Sequence, residues 1–344
     1  MISRRRGSRT AEQPRWWITP FDQPSVLGLD IGGTKLAAGV VDGSGRVHSF
    51  VVEATQAEQG AERGLARLFE LARRALAEAG LDPSELGAVG IGCGGPLDVA
   101  QGVLLAPPHL PGWRDVPVTA LAEEAFGAPA ALENDATAAA AAEHRYGAGA
   151  GTRNMIYLTI STGVGGGIVI DGRLYRGTTG NGGELGHVTV DCNGRPCRGC
   201  GRRGCLEAYV SGTSIAERAQ EALAASREPS SLAGIAPLTA ADVAAAALER
   251  DALAQTVWDE TVAALACGLT SIVNVFDPEL VVLGGGVTGS GEQLLGPVRK
   301  RVRAETMRPA GEAASIVHSA LGENVGVVGA AAIVIERAAS GAHG

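Results

Sequence analysis

A single carboxylate, Asp135, stands where an apolar segment meets an alanine-rich one. The apolar segment 128–132 is typical of a buried strand, and residues 136–146 favour a helix. A carboxylate at such a junction is rigidly held and partly desolvated, so Asp135 can act as a general base with Asn134 beside it. Asparagine and aspartate are also preferred helix caps, and a plain cap is the simpler explanation of Asp135 in isolation. The other motifs of the chain favour the base.

A glycine-rich turn follows the first apolar segment of the chain. Residues 25–30 predict a strand that runs into Asp30-Ile31-Gly32-Gly33-Thr34-Lys35, and a second strand follows at 36–41. The glycines let backbone N–H groups approach an anion closely, and Thr34 adds a hydroxyl. Asp30 can hold Mg²⁺ through water, because Mg²⁺ binds few carboxylates and keeps several waters. A tight hairpin without a ligand needs the same glycines, so this turn alone decides nothing.

The same order of elements recurs about 130 residues later, which indicates an internal repeat. A strand at 154–160 enters Ser161-Thr162-Gly163-Val164-Gly165-Gly166-Gly167, and a further strand follows at 168–170. Two matching meanders predict two similarly built α/β halves with a cleft between them. A polyphosphate gripped by both glycine turns is the simplest interpretation. A third run, Gly284-Gly285-Gly286, follows a predicted buried strand, where a flat ring or a phosphate can lie against the backbone.

Four of the six cysteines lie between positions 192 and 205. Such short spacing, in a chain without an export signal, favours metal over disulfides. Three thiolates and one imidazole make a closed four-coordinate zinc site, and the expected ligands are His187, Cys197, Cys200 and Cys205. Cys192 is an alternative ligand, and scattered free thiols are the alternative to metal. Cys93 and Cys267 are expected in the core.

Two carboxylates and one imidazole flank the cysteines, at Glu184, His187 and Glu207. A zinc ion with four protein ligands has no open position for water, so its expected role is to stiffen this segment. Acidic groups on a rigid segment are good acceptors for sugar hydroxyls. Ordinary surface charge is the alternative explanation, but it gives no reason for a metal-pinned scaffold.

The composition excludes several classes of protein. The 344 residues suffice for two domains, with 45% hydrophobic and 19% charged residues. The net charge of −8 gives no support for general nucleic-acid binding. No apolar run reaches the roughly 18 residues of a membrane helix. Residues 1–25 carry an arginine cluster without an apolar signal core, so we expect a disordered basic tail and a cytoplasmic protein; a transit-like or nucleic-acid-binding tail is the alternative.

Together, these motifs resemble the ROK family of repressors, open reading frames and sugar kinases, from about residue 26 to residue 337. The turn 30–35 is similar to the family's first phosphate motif, 161–167 to the second, and 283–286 to its nucleotide-side turn. Residues 133–135 are similar to the segment with the catalytic aspartate. Residues 184–187 and 197–207 are similar to the zinc-and-sugar signature of the family.

The resemblance implies a two-lobed, actin-like ATPase fold of the ribonuclease H-like type, with a mixed sheet flanked by helices in each lobe. We expect a small domain at 26–133, completed by a C-terminal helix at 324–338. A large domain is expected at 134–323, with the zinc knuckle at 187–205. The resemblance also implies a homodimer or homotetramer.

The implied activity is ATP-dependent phosphorylation of a hexose at its 6-hydroxyl, with glucose favoured and Asp135 as the general base. The implied cofactors are ATP, Mg²⁺ and a structural Zn²⁺. The implied sugar contacts are Gly94, Gly95, Asn134, Asp135, Glu184, His187 and Glu207. The implied nucleotide contacts are Asp30, Gly32, Gly33, Thr34, Lys35, Thr162, Gly163, Gly165, Gly284, Gly285 and Gly286.

Two positions depart from the family pattern. Arg198 and Gly199 separate the first two knuckle cysteines, where the family usually has one residue, and His109 stands where relatives often carry asparagine. N-acetylmannosamine, fructose or another hexose is an alternative substrate, and polyphosphate an alternative donor. A sugar-responsive transcription regulator is the alternative of a different class. We do not expect a regulator, because only 25 residues precede Val26, too few for a helix-turn-helix domain.

Overall fold

The computed structural model describes residues 25–341, which form a mixed α/β protein. The predicted basic tail lies outside the described residues, except for Ser25. The strands are β1 (Ser25–Ile31), β2 (Lys35–Asp42), β3 (Val47–Ala54), β4 (Ala88–Cys93), β5 (Leu97–Asp98), β6 (Val103–Leu104), β7 (Ala130–Asn134), β8 (Met155–Ile160), β9 (Val164–Ile170), β10 (Arg173–Leu174), β11 (Leu280–Gly284) and β12 (Ser315–His318). The helices are α1 (Gly60–Ala79), α2 (Val118–Phe126), α3 (Asp135–Tyr146), α4 (Glu207–Val210), α5 (Gly212–Ala225), α6 (Ala240–Leu248), α7 (Ala252–Phe276), α8 (Glu292–Glu305), α9 (Ala310–Ala313) and α10 (Val325–Gly341).

Two five-stranded sheets repeat one topology. The first has the order β3-β2-β1-β4-β7 and the second the order β10-β9-β8-β11-β12. In each sheet, an antiparallel meander supplies three strands and two further strands run parallel to its first strand. The internal repeat predicted from the two glycine turns is therefore confirmed. One boundary differs: β9 begins at Val164, inside the predicted second turn, rather than at residue 168.

The parallel strands bring the predicted site residues to one edge of the first sheet. Asp30 in β1 lies opposite Gly92 in β4, and Gly92 lies opposite Glu133 in β7. The carboxyl ends of β1, β4 and β7 therefore meet at the same edge. This edge carries Asp30 and Asp135, with the chain at Gly94 between them.

Two helices pack between the sheets at very short range. A Cβ atom added to Gly28 or Gly90 would lie 2.2 or 1.9 Å from a backbone carbonyl oxygen of α10, so α10 rests directly on β1 and β4. A Cβ atom added to Gly167 would lie 2.4 Å from the Cβ of Ala140, so α3 rests equally closely on β9. Glycine permits these approaches because it has no side chain. The domain limits at 26–133 and 134–323 remain predictions.

Helix α7 is a core helix of the second half. Among the described residues, it is the one helix long and apolar enough to cross a membrane, but half of its most apolar stretch is buried inside the protein. Leu265, Leu269 and Ile272 on its inner face are almost fully buried. This burial accounts for its apolar character without a membrane.

We predict that Gly90→Ala lowers the free energy of unfolding by about 3 kcal/mol or more, because the added methyl group must displace α10 from β4. Chemical denaturation of the ligand-free protein measures the change. The control is Gly296→Ala within α8, where an added Cβ meets only ordinary contacts. There the substitution should change the free energy of unfolding by less than about 1 kcal/mol, because Pro297 restricts the preceding residue and offsets the gain in helix propensity. Wild-type stability of the Gly90 variant would contradict the close packing of α10.

Candidate active site

The start of α3 assigns different roles to Asn134 and Asp135. Asn134 is the helix cap: its side-chain oxygen accepts hydrogen bonds from the N–H groups of Ala136 and Thr137, both at 3.1 Å. Its amide group is therefore the part of the side chain that can face a substrate. Asp135 is the first residue of the helix, and one of its oxygens accepts a hydrogen bond from the Ala136 N–H at 2.8 Å. The capping function belongs to the neighbour, so capping does not explain Asp135.

The negative charge of Asp135 acts on Asp30 across the edge of the first sheet. Burial, together with the negative charge of Asp135, raises the pKa of Asp30 to about 7, although the charge of Lys35 opposes the shift. Burial also raises the pKa of Asp135, against the hydrogen bond from Ala136 and the charge of His109. A carboxylate with a raised pKa is a stronger base, closer in basicity to neutral pH than an exposed aspartate.

His109 closes the site over two glycines. A Cβ atom added to Gly33 would lie 2.9 Å from the Cβ of His109, and one added to Gly94 would lie 2.6 Å from its Cε1. The imidazole thus lies between the first glycine turn and the loop that begins at Gly94 and Gly95. Burial lowers the pKa of His109, although the charge of Asp135 opposes this. Trp113, from the same loop, is instead a core residue at 1% exposure.

The predicted metal ligands come together in one cluster. The ligand atoms of His187, Cys197, Cys200 and Cys205 all lie within 4.8 Å of one another. The sulfurs of Cys200 and Cys205 are 3.5 Å apart, and Nδ1 of His187 is 3.7 Å from the sulfur of Cys197. A tetrahedron with Zn–S bonds of about 2.3 Å places its sulfurs about 3.8 Å apart, so this donor set fits zinc. Cys192 is exposed and is not a member of the cluster.

The two ring nitrogens of His187 face different groups. Nδ1 faces the thiol cluster, whereas Nε2 lies 3.8 Å from the carboxylate of Glu184. One residue can therefore bind a metal with one nitrogen and face a substrate with the other. Burial raises the pKa of Glu184, His187 opposes the shift, and the charges of Asp135 and Glu207 add to it. The carboxylates of Asp135 and Glu207 therefore lie near enough for their charges to act on Glu184.

Glu207 connects the knuckle to the second glycine turn. One of its oxygens accepts a hydrogen bond from the Val164 N–H at 3.0 Å, and the other accepts one from the Cys197 thiol at 3.3 Å. Gly163 leaves room for this carboxylate, because a Cβ atom there would lie 2.9 Å from it. Because Glu207 follows Cys205 by two residues, a metal-stiffened knuckle can hold the turn at residues 161–163 through the Val164 contact; a zinc-bound Cys197 would be a thiolate and would not donate to Glu207.

The glycine turns present backbone rather than side chains. In the first turn, the Gly32 N–H donates to the Lys35 carbonyl at 3.0 Å, and the Thr55 hydroxyl donates to the Gly32 carbonyl at 2.6 Å. Thr34 and Lys35 are exposed beside it. In the second turn, the Ser161 N–H donates to the Gly163 carbonyl at 2.9 Å, and Thr162 is exposed.

The remaining predicted nucleotide contacts fall at different places. Gly165 lies within β9, where the Cβ of Ala136 would be 2.7 Å from a Cβ added to it; its lack of a side chain serves the packing of α3. Gly284 ends β11. Gly285 has a φ of 87°, a backbone conformation that residues with a side chain rarely adopt. It also packs against the carbonyl of Ile160, where a Cβ atom would lie 2.4 Å from the oxygen. Gly286 opens a short 3₁₀ turn beside a large cavity.

This open cavity of about 980 Å³ lies in the second half of the protein. One wall is formed by the second glycine turn, at Ser161 and Thr162, and by the glycine run after β11, at Gly286. The opposite wall comes from α5 and α6, through residues that sequence reasoning missed: Thr213, Ala216, Glu217, Ala241, Ala244 and Leu248. No sequence motif marks them; the capping box that Thr239 forms with Asp242 defines only the start of α6.

Of the two cysteines expected in the core, Cys93 is buried as predicted. Cys267 is exposed on the outer face of α7, so the prediction that it lies in the core was wrong.

A two-lobed actin-like fold, with glycine turns facing a cleft and a carboxylate at a strand end, is the architecture of sugar kinases and their relatives. A model of the ROK family matches residues 26–337, and the chain belongs to this family. The predicted family and fold are therefore confirmed.

The relatives include enzymes and regulators. A glucokinase of Thermotoga maritima is 37% identical over 323 residues, covering 91% of this chain and 98% of that protein. The xylose repressor of Bacillus subtilis is 32% identical over 255 residues, covering 74% of this chain and 62% of the repressor. The similarity thus spans nearly all of the glucokinase but only part of the repressor.

Two solved structures share the fold over nearly their full length. The crystal structure of a ROK hexokinase from Thermus thermophilus has a TM-score of 0.75 and 40% identity, covering 91% of this chain and 99% of that one. A ROK glucokinase from Streptomyces griseus, in complex with glucose and AMPPNP, has a TM-score of 0.75 and 36% identity, covering 90% and 98%.

We predict that Asp30→Asn stabilises the ligand-free protein at high pH. Because the folded-state pKa of Asp30, about 7, lies above its ordinary value of 3.8, the folded state retains a proton that the unfolded state loses. Stability therefore falls as pH rises from about 4 to 7. The variant removes this loss and should gain about 1–3 kcal/mol at pH 8, and almost nothing at pH 4.

Thermal denaturation from pH 4 to pH 8 measures this difference. Asp82→Asn is a control of opposite sign, because hydrogen bonds from Ser84 lower the pKa of the exposed Asp82. That variant should be less stable than wild type by a nearly constant amount from pH 5 to pH 8, because the stability that Asp82 contributes is lost only as pH falls through and below its ordinary pKa of 3.8. A constant difference between the Asp30 variant and wild type at every pH would show that Asp30 has no raised pKa.

Proposed function

We propose that this protein transfers the terminal phosphoryl group of ATP to the 6-hydroxyl of a hexose, with glucose as the preferred sugar. The observation that carries the proposal is Asp135. Its carboxylate is half-buried at the carboxyl edge of the first sheet, its basicity is raised by burial, and the capping of α3 falls to Asn134. The near-complete coverage of bacterial glucokinases supports the same activity.

In the proposed reaction, the sugar lies in the cleft between Asp135 and the segment that carries Glu184 and His187. The side-chain amide of Asn134 donates a hydrogen bond to a sugar hydroxyl, and Nε2 of His187 faces another. The carboxylates of Glu184 and Glu207 accept hydrogen bonds from sugar hydroxyls. The backbone of Gly94 and Gly95 forms the floor beneath His109. Asp135 accepts the proton of the 6-hydroxyl as that oxygen attacks phosphorus, a contribution typically worth about 10²–10⁴-fold in rate.

The donor lies across the two glycine turns, with its base in the cavity between α5, α6 and Gly286. The polyphosphate accepts hydrogen bonds from the backbone N–H groups of Gly33, Gly163 and Gly285, with Gly32, Thr34, Lys35 and Thr162 beside it. When bound, Mg²⁺ would neutralise phosphate charge, and Asp30 is the carboxylate placed to hold it through water. In this arrangement, Gly165 and Gly284 support the turns from within their strands.

We propose that His187, Cys197, Cys200 and Cys205 bind a structural zinc ion. The donor set and the spacing of the ligand atoms support it. All four positions are protein ligands, so the ion stiffens the segment that carries Glu184 and Glu207 and does no chemistry. Two residues between Cys197 and Cys200, rather than one, are accommodated without loss of the cluster.

A kinase explains the site better than a regulator does, because a repressor has no use for a base of raised pKa opposite two phosphate-binding turns. We further propose a cytoplasmic enzyme that acts as a homodimer or homotetramer. N-acetylmannosamine, fructose or another hexose remains the alternative substrate, and polyphosphate the alternative donor.

We predict that a coupled assay of ADP release, with a panel of sugars and Mg²⁺, gives the highest kcat/KM for glucose. A kcat/KM for glucose far below that for N-acetylmannosamine would remove the glucose assignment. Turnover with polyphosphate in place of ATP would change the donor. Tight binding of operator DNA without turnover would favour the regulator.

Asp135→Asn should lower kcat by at least about 10²-fold, while glucose affinity measured by calorimetry stays nearly unchanged. Asp171→Asn is the control, because Asp171 lies at an exposed turn and pairs with Arg153. It should keep wild-type kcat. Equal losses of sugar binding and turnover in the Asp135 variant would indicate a folding role.

We predict that the purified protein contains one zinc ion per chain by elemental analysis, and that Cys205→Ser loses it. The loss should raise the KM for the sugar by at least about 10-fold, because the segment 184–207 loses its anchor. Cys267→Ser, at an exposed thiol outside the cluster, should retain the ion. Unchanged sugar affinity in the zinc-free protein would refute the stiffening role.

A further inference from the structure

A buried ion pair connects the two halves next to the site. Glu133, in β7, is 1% exposed, and its Oε2 accepts a hydrogen bond from Nε of Arg176 at 2.7 Å. Among residues 25–341, Arg176 is the cation that the structure brings within ion-pair distance of this carboxylate. Glu133 belongs to the first sheet, whereas Arg176 follows β10 of the second. The contact therefore crosses from one sheet to the other.

Each partner leads directly into a predicted substrate contact. On one side, Glu133 lies two residues before Asp135, and its other oxygen accepts a hydrogen bond from the Asn134 N–H at 3.2 Å. On the other side, the carbonyl of Arg176 accepts a hydrogen bond from the Gly182 N–H at 2.8 Å, which closes the loop 176–182. Glu184 follows this loop two residues later.

The loop has few other attachments. Thr178, Thr179 and Asn181 are exposed, so the loop is held at its ends. At the far end, Gly183 has a φ of 104° and packs against the carbonyl of Gly166 in β9. At the near end, Arg176 reaches the first half of the protein through its ion pair with Glu133 at 2.7 Å, and a longer one at 4.0 Å joins it to Glu336 of α10.

We propose that Glu133 and Arg176 are positioning residues, which hold the sugar-binding segment at Glu184 in register with the base Asp135. The inference rests on the proposed sugar phosphorylation. The pair does not touch the sugar, but it sets the separation between the group that accepts the proton and the groups that hold the hydroxyls. A displacement of about 1 Å at such a site can cost 10²-fold in rate, because the reacting atoms lose alignment.

Arg176→Met should raise the KM for the sugar at least about 10-fold and lower kcat/KM for the sugar by about 10²-fold, with the KM for ATP within a factor of about two of wild type. Arg176→Lys keeps the charge but loses the planar donor geometry, so it should fall between Met and wild type. The double variant Glu133→Gln, Arg176→Met should be no worse than Arg176→Met alone, because the two residues act as one unit.

The matched control is Arg299→Met. Arg299 is 38% exposed against 32% for Arg176, and it also binds a carboxylate at 2.7 Å, but it packs on the edge strand β12. This variant should leave the KM for the sugar unchanged. Calorimetry with the sugar alone, in the absence of turnover, should rank the variants by sugar affinity in the same order as their KM values for the sugar.

A merely structural pair would lower the melting temperature without separating the two KM values. An Arg176→Met enzyme with a wild-type KM for the sugar therefore overturns the inference, and so does an equal shift in the Arg299 variant. If Arg176→Met does not fold, the same criterion applies to Arg176→Lys, whose sugar KM must rise several-fold. A wild-type protein that phosphorylates no hexose would refute the proposed function itself, a result distinguishable from either outcome.

Discussion

The contact between α3 and α10 is the constraint on which the arrangement of this protein depends. Gly329 of α10 approaches the backbone of α3 so closely that an added Cβ would lie 2.6 Å from the carbonyl of Ala138. Each helix also rests on one sheet through glycines, α10 on the first and α3 on the second. The two sheets are therefore placed relative to each other by backbone packing that tolerates no side chain. Because Asp135 is the first residue of α3, the same packing places the base.

Burial at this junction also creates the electrostatics of the site. Asp30 lies near the end of β1 and Asp135 directly after β7, the two strands that flank β4, so the negative charge of Asp135 acts on Asp30 in surroundings that hydrate both poorly. The result is two carboxylates of raised pKa at the edge where the glycine turns open. One is placed near the phosphate-binding turn and the other near the sugar loop. Their different neighbours, Lys35 for Asp30 and His109 for Asp135, suit them to different roles.

Charged contacts then connect the substrate-facing segments to one another. Glu207 links the cysteine cluster to the second glycine turn through the Val164 N–H. Glu133 and Arg176 link β7 to the loop before Glu184. The proposed substrate-facing groups thus come from separate stretches of the chain. Glu133 and Glu207 attach these stretches to one another, because each of these carboxylates accepts a hydrogen bond at both of its oxygens. Such attachments favour a site whose parts move together.

Much of this protein could be read from its sequence, because its signals are local. Glycine runs after apolar segments predicted both turns, and their repetition predicted two sheets of one topology, since a meander is specified by neighbouring residues. Cysteine spacing predicted the metal cluster, whose ligands are brought together largely by one short segment. Tertiary structure alone decided which residue caps α3, that Gly165 and Gly167 serve helix packing, and that α5 and α6 wall the cavity. It alone paired Glu133 with Arg176, because contacts across 43 positions of chain depend on how the two sheets pack, and no local pattern records that.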